Sequence, residues 1–102
     1  MNDDIQALID KLKASYRPEL IMIFGSVARG DFDHESDLDL LVIKRTKKRP
    51  LQRRMEVRKA LSTDLPLDVI VYTPAEFKAL CKSGSAFAKT LLKEGKIVFQ
   101  RS

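Results

Sequence analysis

Gly25-Ser26-Val27-Ala28-Arg29-Gly30-Asp31, followed by Ser36-Asp37-Leu38-Asp39-Leu40, holds the residues of this chain best equipped for chemistry. Asp37 and Asp39 are two positions apart. On a strand that spacing sends both carboxylates to one face, about 7 Å apart along the backbone. Like charges this close raise each other's pKa unless a cation lies between them. Magnesium suits the gap, because it takes a few carboxylates and keeps positions for water and phosphate oxygens. Leu38 and Leu40 fall on the opposite face and anchor the strand, which fixes the carboxylate direction. Gly25 permits a sharp turn and a close approach of backbone N–H groups to an anion. Ser26 adds a hydroxyl for a phosphate oxygen, and Arg29 a positive charge. A phosphate-sized turn beside paired acids points to a nucleoside triphosphate held through divalent metal ions.

Asp68, in Pro66-Leu67-Asp68-Val69-Ile70-Val71, is an acid near the start of an otherwise apolar strand and needs a partner or an exit to solvent. If that strand lies beside the one carrying Asp39, Asp68 faces the same site and shares a metal with Asp37 and Asp39. Two metals about 3.5–4 Å apart then activate an attacking hydroxyl and stabilise leaving pyrophosphate, with Asp68 nearest the hydroxyl.

These residues need a scaffold, and the pattern supplies one. Ile5, Leu8, Ile9 and Leu12 recur at helical spacing, so residues 3–16 read as a helix, stopped by Arg17-Pro18. Leu20–Phe24 is a continuous apolar run that fits a strand buried on both faces. Leu38–Ile43 reads as a second strand and Leu67–Tyr72 as a third. Between them, Leu51–Thr63 reads as a helix with Leu51, Met55 and Leu61 inward. Thr73-Pro74-Ala75-Glu76 is a helix start with a capping box, its helix ending near Ser83-Gly84, and a last helix spans 85–94. Ile97-Val98-Phe99 is a short edge strand or tail. Strands alternating with helices give an α/β class, a small sheet with helices packed against it.

The motif resembles that of the polymerase β-like nucleotidyltransferase superfamily: Gly25-Ser26, ten residues, Asp37-x-Asp39 and a later strand acid. The wider match, Gly-Ser-x-Ala-Arg-Gly through Ser-Asp-x-Asp-Leu and including Ser36, is similar to the minimal nucleotidyltransferases of prokaryotes. The resemblance covers essentially the whole chain and implies that family's fold, a small mixed sheet. It implies that Asp37 and Asp39 bind the metals, that Asp68 joins them, and that Gly25 and Ser26 hold the triphosphate, with Arg29 and Ser36 beside them. Magnesium is the implied ion, with manganese as its alternative. Many such proteins are antitoxins paired with a HEPN-type ribonuclease in a hetero-oligomer, moving AMP from ATP, or a nucleotide from another triphosphate, to a tyrosine hydroxyl of that toxin. Two other readings stay open: an antitoxin that acts by binding alone, and a nucleotidyltransferase acting on RNA ends.

Composition sets the frame. At 102 residues one domain, 1–102, is expected, and 44% hydrophobic content excludes wholesale disorder. No apolar run approaches the roughly 20 residues of a membrane span, so no membrane partner is expected. The acidic start, Met1-Asn2-Asp3-Asp4, is unlike a secretion signal, and the single cysteine, Cys81, suits a reducing cytoplasm. The net charge of +5 hides a polarity: residues 31–39 carry five acids, whereas residues 44–59 carry nine Lys or Arg against one Glu. That basic segment reads first as a solvated face and second as a dock for an acidic partner or RNA. It holds no aromatic residue, which disfavours a stacking platform for single strands. His34 reads as a solvent-facing loop residue, Cys81 as a small core residue, and Tyr16 and Tyr72 as packing residues.

Overall fold

The computed structural model describes residues 3–25, 28, 30 and 37–101. Helix α1 (Asp3–Tyr16) leads into strand β1 (Leu20–Phe24), and strand β2 (Leu38–Ile43) follows. Helix α2 (Pro50–Leu61) connects β2 to β3 (Leu67–Tyr72). Helices α3 (Pro74–Ser83) and α4 (Ala86–Glu94) precede the last strand, β4 (Lys96–Gln100). The four strands form one mixed sheet in the order β3-β2-β1-β4, with β2 and β3 parallel and β1 antiparallel to both its neighbours. Ile97-Val98-Phe99 is therefore part of an edge strand, not a tail.

Period-2 alternation divides the sheet into two faces. Ile21 and Ile23 of β1, Leu38, Leu40 and Val42 of β2, and Leu67, Val69 and Val71 of β3 point one way. There they meet Ile5, Leu8, Ile9 and Leu12 of α1 and Val57 and Leu61 of α2 in the main core. The opposite face carries Met22, Leu41 and Ile43 against Leu91 of α4, with Phe77 and Leu80 of α3 only partly buried. No residue of α3 is fully buried, so Cys81 is half-buried there and is not a core residue.

Helix α1 ends where Arg17-Pro18 predicts, although Arg17 stops it in the left-handed region at φ 55° rather than in extended backbone. The capping box of α3 is present in both directions: Glu76 N donates to Thr73 Oγ1 at 3.2 Å and Thr73 N to Glu76 Oε1 at 2.8 Å.

Helix α2 differs from expectation in the face it buries. Leu51 and Met55 are 66% and 62% exposed, while Arg53, Val57 and Leu61 face inward. Met55 and Leu61 lie six residues apart, about 120° round a helix, so one stripe cannot bury both deeply. The stripe that wins is i, i+4, i+8 and contains a charge. Arg53, 6% exposed, is stabilised because each direction of its guanidinium finds an acceptor. Arg53 Nε donates to Lys48 O at 2.7 Å, and Nη1 to Val71 O at 3.2 Å and Glu76 Oε1 at 2.6 Å. One residue thus ties α2 to β3 and to the cap of α3.

Strand β3 is an edge strand, and two of its outward carbonyls are occupied by α2 side chains. Leu38 N bonds Pro66 O and Lys44 N bonds Tyr72 O, so the even-numbered residues of β3 bond to β2 and the odd-numbered ones face outward. Of those, Leu67 O accepts from Arg58 Nη2 at 2.6 Å and Val71 O accepts from Arg53.

Candidate active site

Strand register assembles the carboxylates. Phe24 is opposite Asp39, and Asp39 is opposite Asp68, so the three stand in one row across β1, β2 and β3. Adjacent strands are about 4.8 Å apart, which puts the Asp39 and Asp68 side chains side by side on the thinly covered face. Their alternate neighbours Leu38, Leu40, Leu67 and Val69 are buried in the main core and fix that direction. Asp39 is half-buried and Asp68 exposed; Asp37, one residue before β2, is also exposed.

Gly25 sits at the end of β1 with φ 74°. A Cβ at this position would fall on the carboxylate of Asp39, with the Asp39 Cγ 3.1 Å away. Two requirements therefore select glycine: the left-handed backbone, and the approach of an acid to within contact of the main chain. The turn and the acid, which the sequence placed side by side, touch in the structure.

Phe24, Asp39, Asp68, Tyr72, Arg54 and Glu76 are among the residues lining a cavity of about 500 Å³. It runs from the row of acids along β3 to the start of α2. The ring of Phe24 packs edge-on against Phe87 of α4, centroids 5.9 Å apart, and this pair closes the site on the β1 side. The Arg53 guanidinium beside Glu76 holds that carboxyl below its usual value of 4.5, so the far wall carries an ion pair and not a proton donor at neutral pH.

Of the residues the motif singles out, the structure brings Gly25, Asp39 and Asp68 together and puts Asp37 at the same end of β2. Ser26, Arg29, Ser36 and His34 lie outside the described residues. Among the described residues no group of three His, Cys, Asp or Glu is close enough to grip a metal as it stands. The donor chemistry nonetheless fits a hard divalent cation, since every acid at the site offers oxygen only. Sequence reasoning missed Phe24, Arg53, Arg54 and Glu76 as walls of the cavity. A signal existed for Arg53, in register with Val57 and Leu61 at helical spacing.

Comparison with known proteins agrees with this fold. The profile of the family described as "Polymerase beta, Nucleotidyltransferase" matches residues 6–102. A candidate protein adenylyltransferase of Methanocaldococcus jannaschii is 43% identical over 47 residues, 42% of this chain and 47% of that protein. A second one from the same organism is 30% identical over 63 residues, 62% of this chain and 63% of its own length. The matched region thus spans about half to under two thirds of these relatives. Among solved structures, a candidate nucleotidyltransferase of Sulfolobus solfataricus superposes with TM-score 0.64 at 22% identity, over 95% of this chain and 78% of its own. A chain of a mutant MntA–HpeT toxin–antitoxin gives 0.66 at 19%, over 100% of this chain and 76% of its own. A toxin–antitoxin crystallised with AMP-PNP gives 0.63 at 22%, over 95% and 73%. At these identities the structures speak for the fold.

Proposed function

The chain belongs to the polymerase beta nucleotidyltransferase family, and from that premise we propose that it is a protein adenylyltransferase of the cytoplasm, the antitoxin of a toxin–antitoxin pair. Its donor is ATP, and its acceptor is a tyrosine hydroxyl on a HEPN-type ribonuclease. One observation carries the reading: the Gly25 main chain lies against the Asp39 carboxylate, with Asp68 in register beside it. A phosphate-binding turn has no reason to touch a metal-binding acid unless one ligand engages both. Relatives named for protein adenylyltransfer, and toxin–antitoxin neighbours of which one holds AMP-PNP, support the same donor and partner class.

In the reaction, the acceptor oxygen bonds to the α-phosphorus of ATP, the bond from that phosphorus to the β-bridging oxygen breaks, and pyrophosphate leaves. Asp68, exposed at the cavity, takes the hydroxyl proton. Asp37, Asp39 and Asp68 would hold a divalent cation, magnesium by preference, which supplies neutralising charge to the triphosphate when bound. Gly25, with Ser26, Arg29 and Ser36, would position the phosphates. The acceptor is presented by a second protein, so its orientation is the main catalytic device.

The test is to incubate the chain with ATP, magnesium and the product of its neighbouring gene, then measure the neighbour's intact mass. A gain of one AMP, absent with Asp39→Asn, is expected. An unchanged mass with every common nucleoside triphosphate overturns the reading.

A further inference from the structure

Helix α2 buries Val57 and Leu61 but turns two further apolar residues away from the core. Leu51 and Met55, four residues apart, stand together on the solvent face. Around them are Arg54 and Arg58 on the β3 side and Lys59 on the other, all exposed. The acids nearby are already engaged: Glu56 pairs with Lys48 at 2.6 Å and Glu76 with Arg53 at 2.6 Å. Among the described residues none gives Lys47, Arg49, Arg54 or Lys59 an ion-pair partner. The patch is therefore cationic without local compensation, and apolar at its centre. Arg54 also lines the cavity that holds Asp39 and Asp68.

We propose that this face of α2 docks an acidic protein helix, its apolar side chains covering Leu51 and Met55 while its carboxylates meet Arg54, Arg58 and Lys59. Charge complementarity selects an acidic partner. The apolar pair selects protein over RNA, because hydrated phosphates would leave two large apolar side chains in water, and residues 44–59 offer no aromatic ring for a base to stack on. A central apolar anchor inside a charged rim is the arrangement of a protein interface. Only the role given to docking, that it presents an acceptor hydroxyl to the adjoining cavity, rests on the transfer reading.

The probe is a synthetic helical peptide with leucines on one face and glutamates elsewhere. It is compared by fluorescence anisotropy with a scrambled peptide of the same composition and with an oligouridine RNA. The amphipathic peptide should bind at least about tenfold tighter than either. Leu51→Ser with Met55→Ser should erase that preference while leaving the melting temperature unchanged, since both side chains are exposed. Equal or tighter binding of the RNA or the scrambled peptide overturns the proposal, as does a preference that survives the double substitution. Asp39→Asn should bind the peptide as the parent does. Lost transfer with intact docking thus indicts the active site alone, and transfer to a neighbour without peptide preference indicts the docking surface alone.

Discussion

The two faces of the sheet divide the labour of the molecule. One is sealed by α1 and α2 over a continuous core from Ile5 to Val71. Among the described residues the other is covered by α3 and α4 over a smaller core, with Met22, Leu41, Ile43 and Leu91 as its buried members. The same three strands feed both. Leu38, Leu40, Leu67 and Val69 look into the sealed side, and Asp39 and Asp68 look out of the open one. A small domain has little stability to spare. The contrast shows how it still holds charged groups in fixed positions: each acid sits between two buried neighbours of its own strand.

That division can be broken from either side. The largest effect is expected from Asp39→Asn, which should cut nucleotide transfer on the order of a thousandfold, several kcal/mol of transition-state stabilisation, without lowering the melting temperature. Leu40→Ala, one residue on and facing the other way, should do the reverse. It should cost about 3 kcal/mol in urea unfolding and leave the turnover of the folded fraction unchanged. Gly25→Ala joins the two faces' concerns, because its Cβ displaces the Asp39 carboxylate and its φ of 74° is strained for any L side chain. Transfer should fall on the order of a hundredfold, with about 1 kcal/mol of stability lost.

Smaller effects sharpen the boundary between faces. Arg53→Met removes a charge that α2 buries beside the open cavity and should cost about 2 kcal/mol. Glu76 has its folded pKa lowered below 4.5 by Arg53, so the pair's contribution is present above that value and is lost as pH falls through the lowered one. Unfolding free energies followed from about pH 6 to about pH 3 should therefore decline less steeply in Arg53→Met than in the parent. The smallest effect has the opposite sign. The Tyr16 hydroxyl is buried without a hydrogen-bond partner among the described residues, and burial pushes its pKa up. Tyr16→Phe should stabilise the sealed face by about 1 kcal/mol in the same unfolding experiment.

Much of the open face was legible in the chain because strand periodicity is simple. Asp39 falls on the strand face opposite Leu38 and Leu40 as alternation requires. Asp68 needed only its strand to lie beside β2, which it does, whereas Asp37 stands one residue before that strand. The capping box at Thr73 was equally direct, since both of its bonds are local. What escaped was α2. Choosing the apolar residues first puts Leu51 and Met55 inward, whereas the structure buries Arg53 because Lys48 O, Val71 O and Glu76 converge on it. Those acceptors come from a loop, another strand and another helix. No local pattern announces such a convergence. Cys81 was misread for a related reason: α3 lies over the thinner core and buries none of its residues completely.

The two α2 arginines that bond to β3 have a consequence for the company this protein can keep. An exposed edge strand invites another chain to zip on through its main chain, the first step of domain swapping and of amyloid-like assembly. Here Arg58 and Arg53 occupy the carbonyls of Leu67 and Val71, at the two ends of that edge. A newcomer finds a doorway already bolted at top and bottom. A strand seeking to extend the sheet here must first displace both arginines, so visitors to this edge meet side chains before they meet main chain.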